Sequence, residues 1–210
     1  MLRCLFATLL SLLCLTGAGA DRLRQADLLF VVAGTSDMSQ AISASTATAD
    51  SLSFDHVAIY FIDENGEERV VEASPAEGVH IVAFDRWLAD APRIADRPGV
   101  VAKRLTAYFS AEDALKRAMQ RIGEAYDWWY LSDNGRTYCS ELVYDCYLSP
   151  TGEHIFHAQP MNFRAPDGSM PAYWEELFAR LGMPVPEGTD GTNPNDLARD
   201  PSLTEVCRFF

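Results

Sequence analysis

The chain has 210 residues, 48% of them hydrophobic, which is enough for one domain with a substantial core. Its formal net charge is −13. Phosphate backbones need a basic surface, so nucleic acid is not expected as a partner, and an anionic membrane surface is disfavoured for the same reason.

The first twenty residues read as a secretory signal: Arg3 supplies a positive start, residues 5–15 an apolar run, and Ala18-Gly19-Ala20 a small-x-small cleavage pattern. Cleavage is expected near Ala20, leaving residues 21–210 as a single domain that is periplasmic or secreted. The apolar run is too short to span a bilayer, so no transmembrane segment is expected. Cys14 follows Leu12-Leu13 and lacks the small residue that a lipoprotein signal needs. From Asp21 onward 16 basic residues face 30 acidic ones, a balance of −14, and three cysteines remain: Cys139, Cys146 and Cys207. An odd count in an exported chain leaves at least one thiol unpaired. Cys146 with Cys207 is a conceivable disulfide, which would leave Cys139 free.

The run 27–32 predicts a strand closed by Gly34, and 35–53 a mainly polar loop with a short helix around 38–44, leading to a site. Residues 56–62 and 69–73 predict a hairpin around Asp63-Glu64-Asn65-Gly66-Glu67. Its register carries a consequence. A three-residue loop, with Gly66 left-handed, sets Glu72 opposite Ala58 and on the face of His56, as a diagonal neighbour; a two-residue Asn65-Gly66 loop sends Glu72 to the other face. Both stay open at this point. Beyond a turn at 74–78, further strands are expected at 79–84 and 99–105, with a helical turn at 85–88 between them. A capped helix then runs from Ser110 to Gly123, with Ala111, Ala114, Leu115, Ala118, Met119 and Ile122 on its apolar face. An aromatic loop, Tyr126-Asp127-Trp128-Trp129-Tyr130, leads to a second helix. There Cys139, Leu142, Val143, Cys146 and Tyr147 repeat at the spacing of one buried face, and Thr137 is the expected N-cap. The tail from Ser149 reads as loop-rich, with one amphipathic helix at 171–181.

A thiol in the first turn of a helix meets the positive end of the dipole and unpaired backbone N–H groups, which stabilise a thiolate and can hold an oxyanion. A nucleophile also needs a base, and the base needs a third group to orient it. Of four histidines, His56 sits at a strand edge after a polar loop, His80 has no evident acidic neighbour, and His154 and His157 lie in a proline-bounded surface loop. Those last two with Cys139 form no strong ligand motif, so no metal is expected. Asp55 competes with Glu72 for the histidine, but adjacent strand residues point to opposite faces. Glu141 buttresses the first helical turn, where its charge would oppose thiolate formation.

The ordered segments Asp27-Leu28-Leu29-Phe30, His56-Val57-Ala58-Ile59-Tyr60, Val71-Glu72-Ala73, Ala125-Tyr126-Asp127 and Tyr138-Cys139-Ser140-Glu141-Leu142-Val143 resemble the YiiX and YaeF group. These are circularly permuted, papain-like relatives of the NlpC-type cell-wall peptidases. The histidine strand comes first and the cysteine helix last, which is the permuted order; the stretch 188–197 is similar to the family's tail. Ala26 stands before Asp27 where glycine is common. The resemblance implies an α+β, permuted papain-like fold, a small antiparallel sheet mostly from the N-terminal half packed on the cysteine helix. It implies Cys139 as nucleophile, His56 as base, Glu72 as the residue orienting it, and Tyr126 with the Cys139 backbone as oxyanion or positioning donors. Trp128, Trp129 and Tyr138 are expected as pocket wall, Asp27 as structural. The expected activity is amide hydrolysis of a peptide or cell-wall peptide, with no metal or organic cofactor. Acyl-lipid chemistry and a non-catalytic binding module are the alternatives.

Overall fold

The computed structural model describes residues 23–48 and 52–210, so the expected signal segment lies outside the described residues. Six strands form one antiparallel sheet: β1 (Asp27–Val32), β2 (Phe54–Ile62), β3 (Glu68–Ser74), β4 (Gly78–Ala83), β5 (Val100–Leu105) and β6 (Leu203–Arg208). Their spatial order is β6-β5-β1-β2-β3-β4. The sheet therefore takes its outer strand from the far end of the chain, where the sequence reads as loop. β6 is an edge strand carrying a bulge between Glu205 and Cys207, which breaks the alternation that marks a strand in sequence.

Strand alternation separates two apolar layers. Leu28, Phe30, Val57, Ile59, Val71, Ala73 and Val101 face a helical layer, while Leu29, Val31, Ala58, Tyr60, Val70, Val100 and Ala102 face Phe84 and Trp87 of the short helix α2 (Phe84–Asp90). The helical layer contains α1 (Asp37–Thr46), α3 (Ala111–Gln120), α4 (Cys139–Cys146), α5 (Ala172–Leu181) and α6 (Pro194–Arg199). Leu142, Val143, Cys146 and Tyr147 of α4 are completely buried against β2 and β3. At about 1.5–3 kcal/mol for each large apolar side chain, this stripe fixes how the helix rotates, and so which way Cys139 points. The Tyr147 hydroxyl donates to the Ala26 carbonyl at 2.8 Å, tying the end of α4 to the start of β1. Ala26 itself has φ of +61°, the left-handed region that glycine fills without strain. Asp27 beside it is buried and grips Arg104 through two hydrogen bonds of 2.7 and 2.6 Å.

The hairpin takes the three-residue loop. Asp63 donates its N–H to the Glu67 carbonyl, Gly66 has φ of +81°, and Ile59 pairs with Val71. Continuing that register sets Glu72 opposite Ala58.

Several sequence expectations need correction. α3 ends at Gln120, and Ile122 beyond it is 45% exposed instead of completing an apolar face. Tyr138, not Thr137, caps α4, because Thr137 is held extended in a short parallel pairing with Tyr126. Cys146 and Cys207 are not joined: Cys146 lies in the helical layer and Cys207 packs in the opposite one. Burial pushes the Cys146 thiol up to about 12.

Candidate functional site

Cys139 is the first residue of α4 and is buried. The backbone before it is extended at Tyr138, whose N–H donates to Glu141 Oε2 at 3.3 Å, so one orphan donor of the helix start is satisfied by its own first turn. The approach to the helix is fixed from the side. Arg121 donates to Thr137 Oγ1 at 2.7 Å and pairs with Asp145 of α4, and Thr137 donates to Glu124 at 2.5 Å. Asp127 is buried and accepts the N–H groups of Trp129 and Leu131, which shapes the aromatic loop.

β2 carries a bulge beside His56. Val31 pairs with His56 and Val32 with Phe54, leaving Asp55 as the extra residue. Phe54 and Val57 then both face the helical layer although they are three apart. Asp55 and His56 consequently open onto the same cleft, which corrects the expectation that they point to opposite faces. Asp55 still does not hold the histidine; its carboxylate accepts the Gly34 N–H at 3.0 Å.

Glu72 holds it instead. Its Oε2 lies 2.5 Å from His56 Nε2 and accepts the Trp87 indole N–H at 2.8 Å. Glu72 occupies Nε2, and Cys139 is close enough to act on the same imidazole. Burial alone would lower the His56 pKa, but the hydrogen bonds from Cys139 and Glu72 and the Glu72 charge hold it well above 6.5. Burial likewise pushes Glu72 up, and the His56 and Trp87 contacts overcome it, leaving the carboxyl below 4.5. The imidazole thus stands between the carboxylate that holds it and the Cys139 thiol at a helix N-terminus. His80 belongs to this network. It pairs with Glu72 across β3 and β4, with Nε2 3.4 Å from Glu72 Oε1 and 2.9 Å from Glu77, so the expectation of no acidic neighbour is overturned.

Tyr126 lines both the cavity at Cys139 and a cleft at His56, and burial holds its hydroxyl protonated, well above 10. Tyr138 lines the cavity at Cys139. Trp128 and Trp129 do not: Trp128 packs edge-on against Tyr126, and Trp129 turns outward beneath the Arg136 guanidinium, 4.3 Å from its ring centre. Glu141 is pushed up to about 8 by burial and by the Asp145 and Asp127 carboxylates, so near neutral pH it is mostly uncharged and its expected opposition to a thiolate is relieved.

Comparison with known proteins gives the family and the fold. A family model described as permuted papain-like amidase enzyme, YaeF/YiiX, C92 family, matches residues 22–207. The chain belongs to this family. It is 26% identical over 203 residues to the uncharacterized protein YiiX of Escherichia coli (strain K12), covering 95% of this chain and 94% of that one. A solved structure titled metalloprotein YiiX from Escherichia coli O157:H7 superposes with a TM-score of 0.72 at 21% identity, over 89% of this chain and 98% of the other. The permuted papain-like fold is thus the fold of this chain. That title calls the neighbour a metalloprotein. His154 stacks on Tyr144 with ring centres 3.9 Å apart, and His157 is exposed.

The amidase-family tail contributes a clamp that sequence reasoning missed. Asn195 on α6 is buried and holds the Phe54 backbone at both ends: its Oδ1 accepts the N–H at 2.7 Å and its Nδ2 donates to the carbonyl at 2.9 Å. These bonds lie two residues before His56, beside the bulge. The Thr192 N–H donates to the Tyr138 hydroxyl at 3.1 Å, so the same segment also braces the residue before Cys139. Asn195→Leu leaves two buried backbone groups without partners and is expected to lower the unfolding free energy by about 2–4 kcal/mol. Urea unfolding measures it; a loss under about 0.5 kcal/mol, the usual range for an innocuous substitution, would mean the clamp is dispensable.

Proposed function

We propose that this permuted papain-like family member is an exported cysteine hydrolase that cleaves an amide bond through Cys139, His56 and Glu72. The observation that supports it is His56 held at 2.5 Å by Glu72 and acted on by Cys139, the first residue of α4. In this reading Cys139 passes its proton to His56 while sulfur attacks the carbonyl carbon. The backbone N–H of Cys139 and the Tyr126 hydroxyl take the oxyanion. As the C–N bond breaks, His56 returns the proton to the leaving amine. Water, deprotonated by His56, then releases the acyl group as a carboxylic acid and restores the thiol. Every proton is carried by one imidazole, and Glu72 keeps that imidazole oriented and its cation stable.

A non-catalytic binding role is the weaker reading, since open clefts of about 290 and 640 Å³ reach His56 and Glu72. Export rests on the signal-like first twenty residues. A peptide, including one from the cell wall, suits this address.

The test offers peptidoglycan-derived peptides and acyl lipids side by side, with intact-mass detection of acylated Cys139 and of released amine. Amine release with a transient adduct on Cys139 is the expected result. No adduct from either class, together with an iodoacetamide reaction of Cys139 indifferent to His56→Ala, would end the proposal.

A further inference from the structure

Three buried side-chain hydroxyls among the described residues make no hydrogen bond within 3.5 Å: Tyr130 Oη, which stands near Tyr126, Thr192 Oγ1, which stands near Tyr138, and Ser140 Oγ. They come from the aromatic loop, α4 and the tail, and all three residues line the cavity at Cys139. Native proteins leave few buried polar groups unsatisfied, because each forfeits its hydration without return. Three around a single space mark a place built for a polar occupant.

The cavity measures about 50 Å³. One water needs roughly 10–15 Å³ on this measure, so there is room for about three to five water-sized groups. Phe163 and Trp174 close its wall, and no lysine, arginine or histidine lines it, while Asp55 stands at its edge. An anion would find no countercharge here, and a long acyl chain would find no space.

The position of His56 says which part of a substrate enters. His56 lines the two larger clefts and not this cavity. The leaving amine must lie against the imidazole that protonates it, so it occupies a cleft, and the acyl portion falls on the other side of the sulfur. We infer that this cavity is the acyl-side subsite, and that it selects a small, uncharged, hydrogen-bonding side chain of about three to five heavy atoms, such as a carboxamide. The inference rests on the proposed direction of cleavage at Cys139. It narrows the acyl residue and leaves the leaving group free to be large.

Acetamide and acetate, equal in heavy-atom count and differing in charge, are the probes. The rate at which methyl methanethiolsulfonate modifies Cys139 is followed by peptide mass mapping as each probe is titrated. Acetamide is expected to slow modification saturably at millimolar concentration and acetate not to. Tyr130→Phe, Ser140→Ala and Thr192→Val each remove one hydroxyl and little else. Each is expected to weaken acetamide protection on the order of 2- to 12-fold, the span of one neutral hydrogen bond, with Tm unchanged or raised because an unsatisfied group is gone. Equal protection by both probes, or by neither, overturns the inference. So does a fall in Tm with protection unaltered, which assigns the hydroxyls to structural water. The His56→Ala rate reports separately on thiol activation, so failure of the subsite and failure of the hydrolase reading give different results.

Discussion

Cys139→Ala is expected to reduce amide hydrolysis by about 10⁴-fold or more, and His56→Ala by a similar factor. The two losses should not add. In the proposed mechanism sulfur and imidazole share one proton, so once the thiol is gone the imidazole has nothing to activate, and the double variant should be no slower than the worse single one. What remains is the background from oxyanion donors and substrate binding. The fold should tolerate both changes, since the rotation of α4 is fixed by Leu142, Val143, Cys146 and Tyr147, not by Cys139. Multiplicative losses in the double variant would show that the two side chains contribute independently. That result would remove His56 from the role of base even if Cys139 proved essential.

Glu72→Gln is expected to cost about 10²- to 10⁴-fold in turnover and to change how stability varies with pH. Glutamine keeps an oxygen for the Trp87 indole N–H but brings no charge to His56. In the native protein the two shifts act in opposite directions. The His56 pKa is raised by its partners, so its contribution is complete below its ordinary value of 6.5 and is lost as pH rises through the higher folded value. The Glu72 pKa is lowered, so its contribution is complete above its ordinary value of 4.5 and is lost as pH falls through the lower folded value. Both are complete between about 4.5 and 6.5. The difference in Tm between native protein and Glu72→Gln should therefore be largest in that interval and shrink on either side. A difference that stays flat from pH 4 to pH 9, well outside the ordinary His and Glu values, would mean that Glu72 acts by packing and not by charge.

The parts of this site that were legible in the sequence are those set by short-range rules. Period 3.6 gave the buried face of α4 and hence the placement of Cys139 at its start. The hairpin turn with Gly66 limited the register to two choices, one of which brings Glu72 beside His56. The illegible parts depend on partners distant in the chain. The bulge at Asp55 exists only relative to β1, so the local alternation of β2 gave no sign of it. Trp87 reaches Glu72 from a helix after the next strand, and His80 reaches it by cross-strand pairing, neither of which is visible among sequence neighbours. Asn195 sits in a six-residue helix within a proline-rich tail, where nothing distinguishes a buried clamp from a polar turn residue. Trp128 and Trp129 illustrate the converse: large aromatics near a site invite assignment to its wall, yet one packs on a tyrosine and the other on an arginine.

The clamp from Asn195 to Phe54 also sets an order of events during biosynthesis. A ribosome releases the histidine strand first, the cysteine helix later and Asn195 after both, so a growing chain contains thiol and imidazole before it can lock the strand end that aligns them. Potency against amides would accordingly be switched on by the arrival of the tail, and a nascent polypeptide would pass through the translation machinery with its scissors still unassembled.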